Sequence, residues 1–142
     1  MKALTVHQPY ASMLAESFWV KPCENRPESI AWHRYRGPIA IHAGLSHRYL
    51  ASKAELENYD TGVVVCKGHL IACFHYERAC AALERGQIPK ELGDLGWRPG
   101  HVRWLLEHPE TVGPLCLVIT DRVRFNPPIA AKGKQGLWEW EG

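Results

Sequence analysis

The sequence lacks the signatures of several common protein classes. It contains no GxGxxG, P-loop or GxSxG motif, which argues against dinucleotide-binding, P-loop and α/β-hydrolase enzymes. No stretch approaches 18 consecutive apolar residues, and the first residues, KALTVHQ, lack the apolar segment of an export signal. We therefore expect a cytoplasmic protein with no membrane role.

Charge of one sign and paired cysteines are also scarce. Lys and Arg number 17 against 15 Asp and Glu, and the resulting net charge of +2 is too small to predict nucleic-acid binding by itself. The five Cys have no paired spacing, which favours free thiols in a reducing compartment. Cys66, Cys73 and Cys80 recur every seven residues, a spacing that zinc sites rarely use, so buried thiols are expected and neither a metal nor a cofactor is predicted.

The chain is rich in apolar and aromatic residues. Its 142 residues are 46% hydrophobic and include six Trp and five Tyr, which predicts a single folded domain over residues 1–142. About five strands are expected, at residues 2–7, 37–44, 62–76 and 114–125 and near the C-terminus, with helices at 9–18 and 46–59. Gly68 suggests a bulge. This irregular order predicts an α+β fold with a small coiled or closed sheet.

Three charged residues stand close together in WVKPCENRP. In an extended segment Glu24 and Arg26 point the same way, and Lys21 adds a compact positive charge nearby. Such a trio can neutralise a phosphate, or orient and deprotonate a water molecule. A solvated turn with a surface ion pair is the competing interpretation, and from spacing alone it is the commoner arrangement.

Two further basic clusters occur. In KGKQG, Lys132 and Lys134 alternate with glycines that would let backbone N–H groups approach an anion, although a solvated hairpin has the same composition. Residues 33–36, HRYR, combine guanidinium and aromatic groups suited to single-stranded nucleic acid. Trp138 and Trp140 alternate on one predicted strand, where core packing is the expected role. His42, between apolar neighbours, is expected to be an interior histidine.

Five segments occur in an order typical of one known family: LTVHQPYASML, KPCENR, RGPIAIHA, GVVVCKGHLIAC and PPIAAKGKQGLWEW. Together they resemble the ASCH domain family of the PUA-like superfamily, and KPCENR is similar to that family's KxxExR motif. The resemblance extends over most of the chain. Residues of about 77–100 have no clear counterpart and are a candidate insertion.

The resemblance implies a small PUA-like β-barrel with helices packed around it, and a cleft between barrel and first helix that receives Lys21, Glu24 and Arg26. The family is associated with binding RNA or other nucleic acids. Some relatives are hydrolases, including a branch that removes the acetyl group from N4-acetylcytidine. Trp19 stands where the family motif has Gly, Glu24 where that branch has Thr, and His69 where it has a strand Glu. That branch's chemistry is therefore not expected to carry over intact.

The first hypothesis is a module that binds RNA, single-stranded nucleic acid or a nucleoside-sized ligand in this basic cleft. Basic residues would hold phosphates, aromatic residues would stack on bases, and polar residues would bond base edges. The candidate phosphate contacts are Lys21, Arg26, Arg36, Lys132 and Lys134. The candidate stacking residues are Tyr10 and Trp19, the candidate base-edge contacts are Gln8 and Glu24, and His42 is a further candidate contact.

The second hypothesis is a hydrolase of RNA or of a modified nucleoside. Glu24 would be the general base, Lys21 and Arg26 would stabilise the developing anion, and His69 or His42 would be the acid. A third is a protein-interaction domain that has kept the cleft without its activity. The sequence leaves the substrate and the oligomeric state open.

Overall fold

The strands form one curled sheet. A computed structural model describes residues 1–27 and 34–142, so that His33 of the HRYR cluster lies outside the described residues. The strands are β1 (Lys2–Val6), β2 (Cys23–Arg26), β3 (Gly37–Ala43), β4 (Val63–His75), β5 (Leu115–Ala130) and β6 (Leu137–Glu139). Their order is β2-β5-β4-β3-β1-β6, with β1 parallel to β3 and the other neighbours antiparallel. The sheet is a six-stranded half-barrel, and the predicted α+β class is confirmed.

Short helices surround the sheet. They are α1 (Tyr10–Glu16), α2 (Tyr76–Glu84), α3 (Lys90–Asp94) and α4 (Pro99–Glu107). The predicted helix at 46–59 is wrong, because only Ala54–Asn58 form a 3₁₀ turn. Upstream of it the Arg48 N–H donates to Ser46 Oγ, a local hydrogen bond that competes with helix formation. Among the described residues no helix is both long and apolar enough to cross a bilayer.

The curl comes from irregular pairing of the two longest strands, β4 and β5. Their register shifts three times, once between Lys67 and His69. A Cβ on Gly68 would lie 2.7 Å from the Thr120 carbonyl oxygen, so only glycine allows this approach. The predicted bulge at Gly68 is confirmed.

Apolar side chains cover both faces of the sheet. One face packs on α1 through residues such as Leu14, and the other face packs on α2 to α4. Trp138 and Trp140 are both buried against the β1 and β3 end of that second face, which confirms their predicted core role. The cysteines are free thiols, and all except the partly buried Cys80 are buried, as expected.

Candidate ligand-binding pocket

A pocket with a volume of about 570 Å³ opens beside α1. Its walls come from four parts of the chain: the end of β1 with the start of α1, residues 21 and 24–27, residues 48–49, and residues 109, 110 and 112–114. Three cations, Lys21, Arg26 and Arg48, line it against two carboxylates, Glu24 and Glu110. With His7 neutral, the formal charge of the lining is therefore positive.

The predicted trio lies together in this pocket. Arg26 Nε and Nη2 lie 3.0 and 2.9 Å from Glu24 Oε2, and Lys21 Nζ lies 3.9 Å from Glu24 Oε1. The alternation of β2 puts Glu24 and Arg26 on one side of the strand, as the sequence predicts. Lys21 is 2% exposed and Glu24 is 5% exposed. The trio is therefore not a solvated turn.

Arg26 also links two distant strands. Its Nη2 donates to the Thr5 carbonyl oxygen at 2.7 Å, although β2 is one edge of the sheet and β1 lies next to the other edge. That carbonyl lies beyond the part of β1 that pairs with β6, which ends at Leu4. The curl of the sheet thus brings its two ends together, and the trio occupies the seam between them.

The Lys21 ammonium is poorly satisfied by the protein. Its Nζ makes no hydrogen bond to residues 1–27 or 34–142; its described contacts are Glu24 Oε1 and the Tyr10 ring, whose centroid is 4.7 Å away. An ammonium carries three donors, and the described protein provides no hydrogen-bond acceptor for any of them. The arrangement therefore suits a ligand that brings a negative charge or several acceptor atoms.

The lining residues that the sequence did not predict include three with functional side chains, His7, Arg48 and Tyr49. The Tyr49 ring packs 5.2 Å from the Tyr10 ring and 5.8 Å from the His7 ring, and the Arg48 guanidinium lies 5.4 Å from the Tyr49 ring. The Arg48-Tyr49 pair repeats the guanidinium-aromatic pairing noted at residues 33–36, but it fell within a wrongly predicted helix. His7 could have been found as a polar residue directly after a buried strand.

The surroundings of His7 favour its neutral form. Its Nδ1 is buried with no hydrogen-bond partner among the described residues. Burial, followed by the positive charges of Arg26 and Arg48, lowers the His7 pKa, and Glu24 opposes the shift. Since a proton on a buried Nδ1 would lack an acceptor there, the tautomer with its proton on Nε2 is favoured.

Arg122 on β5 fixes the turn that carries Lys21. Its Nη1 lies within hydrogen-bond distance of three carbonyl oxygens, those of Leu14, Ser17 and Lys21, at 3.1, 3.2 and 2.7 Å. Its Nε donates to the Ile119 carbonyl oxygen. Burial lowers the Arg122 pKa to about 10. The sequence offered no signal for this residue beyond a charge within a strand.

Asn25 fixes the opposite wall. Its Oδ1 accepts from the N–H groups of Val112 and Gly113 at 3.0 and 2.9 Å, and its Nδ2 donates to the Glu110 carbonyl oxygen at 2.8 Å. One side chain from β2 therefore determines where residues 110–113 lie. This wall of the pocket is therefore anchored to the sheet.

Two predicted contact residues lie inside the protein instead. Gln8 is fully buried. Its side-chain Nε2 donates to the Asp60 carbonyl oxygen, and its Oε1 accepts from the Ser12 N–H. His42 is 2% exposed, with Nε2 2.7 Å from the Ala131 carbonyl oxygen and Nδ1 3.3 Å from Thr5 Oγ1. Neither lines the pocket. His42 is the satisfied interior histidine that its apolar neighbours predict.

The remaining basic candidates lie away from the pocket lining. Arg36 forms an ion pair with Glu91, and His69 is exposed on β4. Lys132 and Lys134 are exposed in the turn before β6. Hence the pocket lining brings the trio and Tyr10 together, but contains neither His69 nor the KGKQG lysines.

The KGKQG turn packs on the other face of β1. A Cβ on Gly133 would lie 2.5 Å from His42 Cε1 and 2.8 Å from Thr5 Oγ1. Thr5 shares its side of β1 with Ala3, whereas Val6, which lines the pocket, shares its side with Leu4. Gly133 is thus explained by close packing on His42.

Comparisons with known proteins add no relative. No family model matches the chain, and a search of the curated proteins finds no match. Among residues 1–27 and 34–142, no group of three His, Cys, Asp or Glu side chains is arranged to hold a metal ion.

Proposed function

We propose that this protein is an ASCH-type domain of PUA-like fold that binds RNA or another single-stranded nucleic acid, with one nucleotide entering the pocket. The observation that carries the proposal is the Lys21 ammonium, which ends a buried side chain and lies in a positively charged pocket without a hydrogen bond to the described protein. A volume of about 570 Å³ is within the range of small-ligand sites. The five-segment resemblance to the ASCH family supports the same ligand class.

The residues of the pocket have complementary roles in this proposal. Lys21 and Arg48 contact phosphate oxygens, and the Tyr10 and Tyr49 rings stack on the base or ribose. Glu24 Oε2 is occupied by Arg26, which leaves Oε1 to accept a hydrogen bond from a base N–H group. Arg26 therefore orients the carboxylate, and its own charge favours an anionic ligand.

The exposed lysines have a second role outside the pocket. Lys132 and Lys134 are at the surface on the far side of β1, where they can contact backbone phosphates of a longer strand. Such contacts are independent of base sequence and depend strongly on salt. Arg36 is left out of the proposed contacts because its guanidinium is engaged by Glu91.

Binding is tested by fluorescence anisotropy with labelled single-stranded RNA, single-stranded DNA and duplex at low salt. Lys21→Met should weaken single-strand binding about 10- to 150-fold, the value of a charge-assisted hydrogen bond. Lys90→Met is the matched control, because Lys90 is an exposed cation on α3 that pairs with Asp94. The proposal fails if no oligonucleotide binds, or if the two variants bind equally well.

A hydrolase is the second candidate, and one observation favours it. Lys21, Glu24 and His7 line the same pocket, which places an ammonium, a carboxylate and an imidazole around one ligand position. His7, with its proton on Nε2, would then donate a hydrogen bond to the developing anion, whereas His69 is exposed outside the pocket. Chromatography of RNA and modified nucleosides after incubation would detect turnover, and Glu24→Gln should abolish it. Binding without any product would exclude this candidate.

A further inference from the structure

A second hollow lies beside the pocket. It has a volume of about 490 Å³, and the described residues that line it are all aromatic: Phe18, Trp19, Trp97, His101 and Trp104. We call it the aromatic groove. The Trp19 side chain is 70% exposed. A packed Trp side chain normally buries a large apolar area, so an exposed Trp beside other aromatic side chains indicates an interaction surface.

The rings are arranged as a floor with upright walls. Phe18 and Trp104 stack with an interplanar angle of 24°, whereas Trp19 and Trp97 meet Phe18 at 83° and 72°. Trp19 also meets Trp104 edge to face, with ring centroids 5.1 Å apart. Two indole faces therefore stand on an aromatic base, which suits a flat ring that stacks against either wall.

The aromatic groove and the pocket have no lining residue in common, but two short chain segments connect them. Trp19 and Lys21 are two residues apart, so their Cα atoms are separated by no more than about 7.6 Å. His108 Nε2 donates to the Trp19 carbonyl oxygen at 2.8 Å, and residues 109, 110 and 112–114, next along the chain, line the pocket. Arg122 holds both ends of the intervening turn, at Ser17 and Lys21. The residues that line the two hollows are thus linked through the turn at residues 17–21 and through His108.

We propose that the aromatic groove is a stacking site for unpaired bases of the same strand whose neighbouring nucleotide occupies the pocket. This inference rests on the proposed function and extends it from one nucleotide to several. Every nucleobase has a π-face, so a lining made of rings binds bases of any sequence. Because the lining consists of rings rather than aliphatic side chains, it fits flat aromatic groups better than an aliphatic peptide.

The test compares Trp19→Leu with Trp19→Tyr, since both variants shorten the side chain but only Tyr keeps an aromatic face. Wild-type protein should bind mixed-sequence octanucleotides more tightly than the four mononucleotides, with quenching of tryptophan fluorescence. Trp19→Leu should weaken octanucleotide binding roughly 5- to 150-fold and leave mononucleotide binding unchanged. Trp19→Tyr should restore most of the loss. Trp19 is exposed, so both variants should fold.

Three results would overturn the inference. Equal octanucleotide affinity of Trp19→Leu and wild type would show that the groove does not contact the strand. Equal loss in Trp19→Tyr and Trp19→Leu would show that aromatic stacking is not the interaction. Sedimentation that reveals a dimer broken by Trp19→Leu would assign the groove to a second copy of this chain. Failure of the pocket proposal gives a different signature, because Lys21→Met would then leave mononucleotide binding unchanged.

Discussion

Replacing Lys21 with Met removes a buried cation that lacks hydrogen bonds to the described residues, whereas replacing Glu24 with Gln removes the anion that two cations share. In Lys21→Met, Glu24 keeps both of its contacts with Arg26, at 2.9 and 3.0 Å. In Glu24→Gln, the Lys21 and Arg26 charges remain in the pocket without a carboxylate between them. The two substitutions should therefore affect stability very differently.

The magnitudes follow from these contacts. Lys21→Met loses an attraction of about 4 kcal/mol across 3.9 Å at an effective dielectric constant of about 20, and a cation–π contact of about 1 kcal/mol. It also removes the desolvation penalty of a buried ammonium, which is several kcal/mol. The net change in the free energy of unfolding should lie within about 1 kcal/mol of zero. Glu24→Gln should cost about 3 kcal/mol or more, because it leaves uncompensated buried charge.

Urea denaturation followed by tryptophan fluorescence measures both effects. With a slope of about 1–3 kcal/mol per molar urea, Glu24→Gln should lower the midpoint by about 1–3 M and Lys21→Met should barely move it. An equal, large loss in Lys21→Met would refute the reasoning, because Lys21 would then be a structural ion-pair residue. A near-neutral Lys21→Met with lost binding is the pattern of a residue kept for its ligand at no benefit to stability.

Three further outcomes are expected. Gly133→Ala should destabilise the fold by about 1–3 kcal/mol, because its Cβ would press on His42, whereas Gly100→Ala, in the first turn of α4 with open space around the added Cβ, should be neutral or slightly stabilising; thermal unfolding compares them. Arg122→Lys should lower the free energy of unfolding by about 2 kcal/mol, since one ammonium cannot bond all the carbonyl groups that the guanidinium contacts. Urea denaturation measures the loss, and an unchanged midpoint would contradict this. Because the His7 pKa is lowered in the folded protein, the unfolded chain binds a proton at His7 more readily, and His7 makes the free energy of unfolding fall as pH drops below about 6.5. NMR titration should place the His7 midpoint below that value. A midpoint above it would contradict the buried, positively charged surroundings of His7.

Local patterns in the sequence correctly predicted the structural features that depend only on residues close together in the chain. Strand alternation correctly placed Glu24 and Arg26 on one side of β2, and Trp138 and Trp140 together in the core. Gly68 marked the bulge between β4 and β5. These features follow from strand parity and from backbone sterics, which any extended segment obeys. The helix expected at 46–59 failed because local side-chain hydrogen bonds outweighed a weak apolar face.

Tertiary structure decided which groups meet. The sequence by itself determined the α+β class, the bulge, the buried thiols and a charged trio within six residues of the chain, two of them on one short strand. Only the curl of the sheet brought Arg26 on β2 to the Thr5 carbonyl oxygen and buried Lys21 in a shared pocket. It also directed the KGKQG turn to the other face of β1 and placed Arg48 and Tyr49 in the wall instead. The reason is that strand parity is fixed within a few residues, whereas the closure of a sheet depends on register shifts summed along long strands.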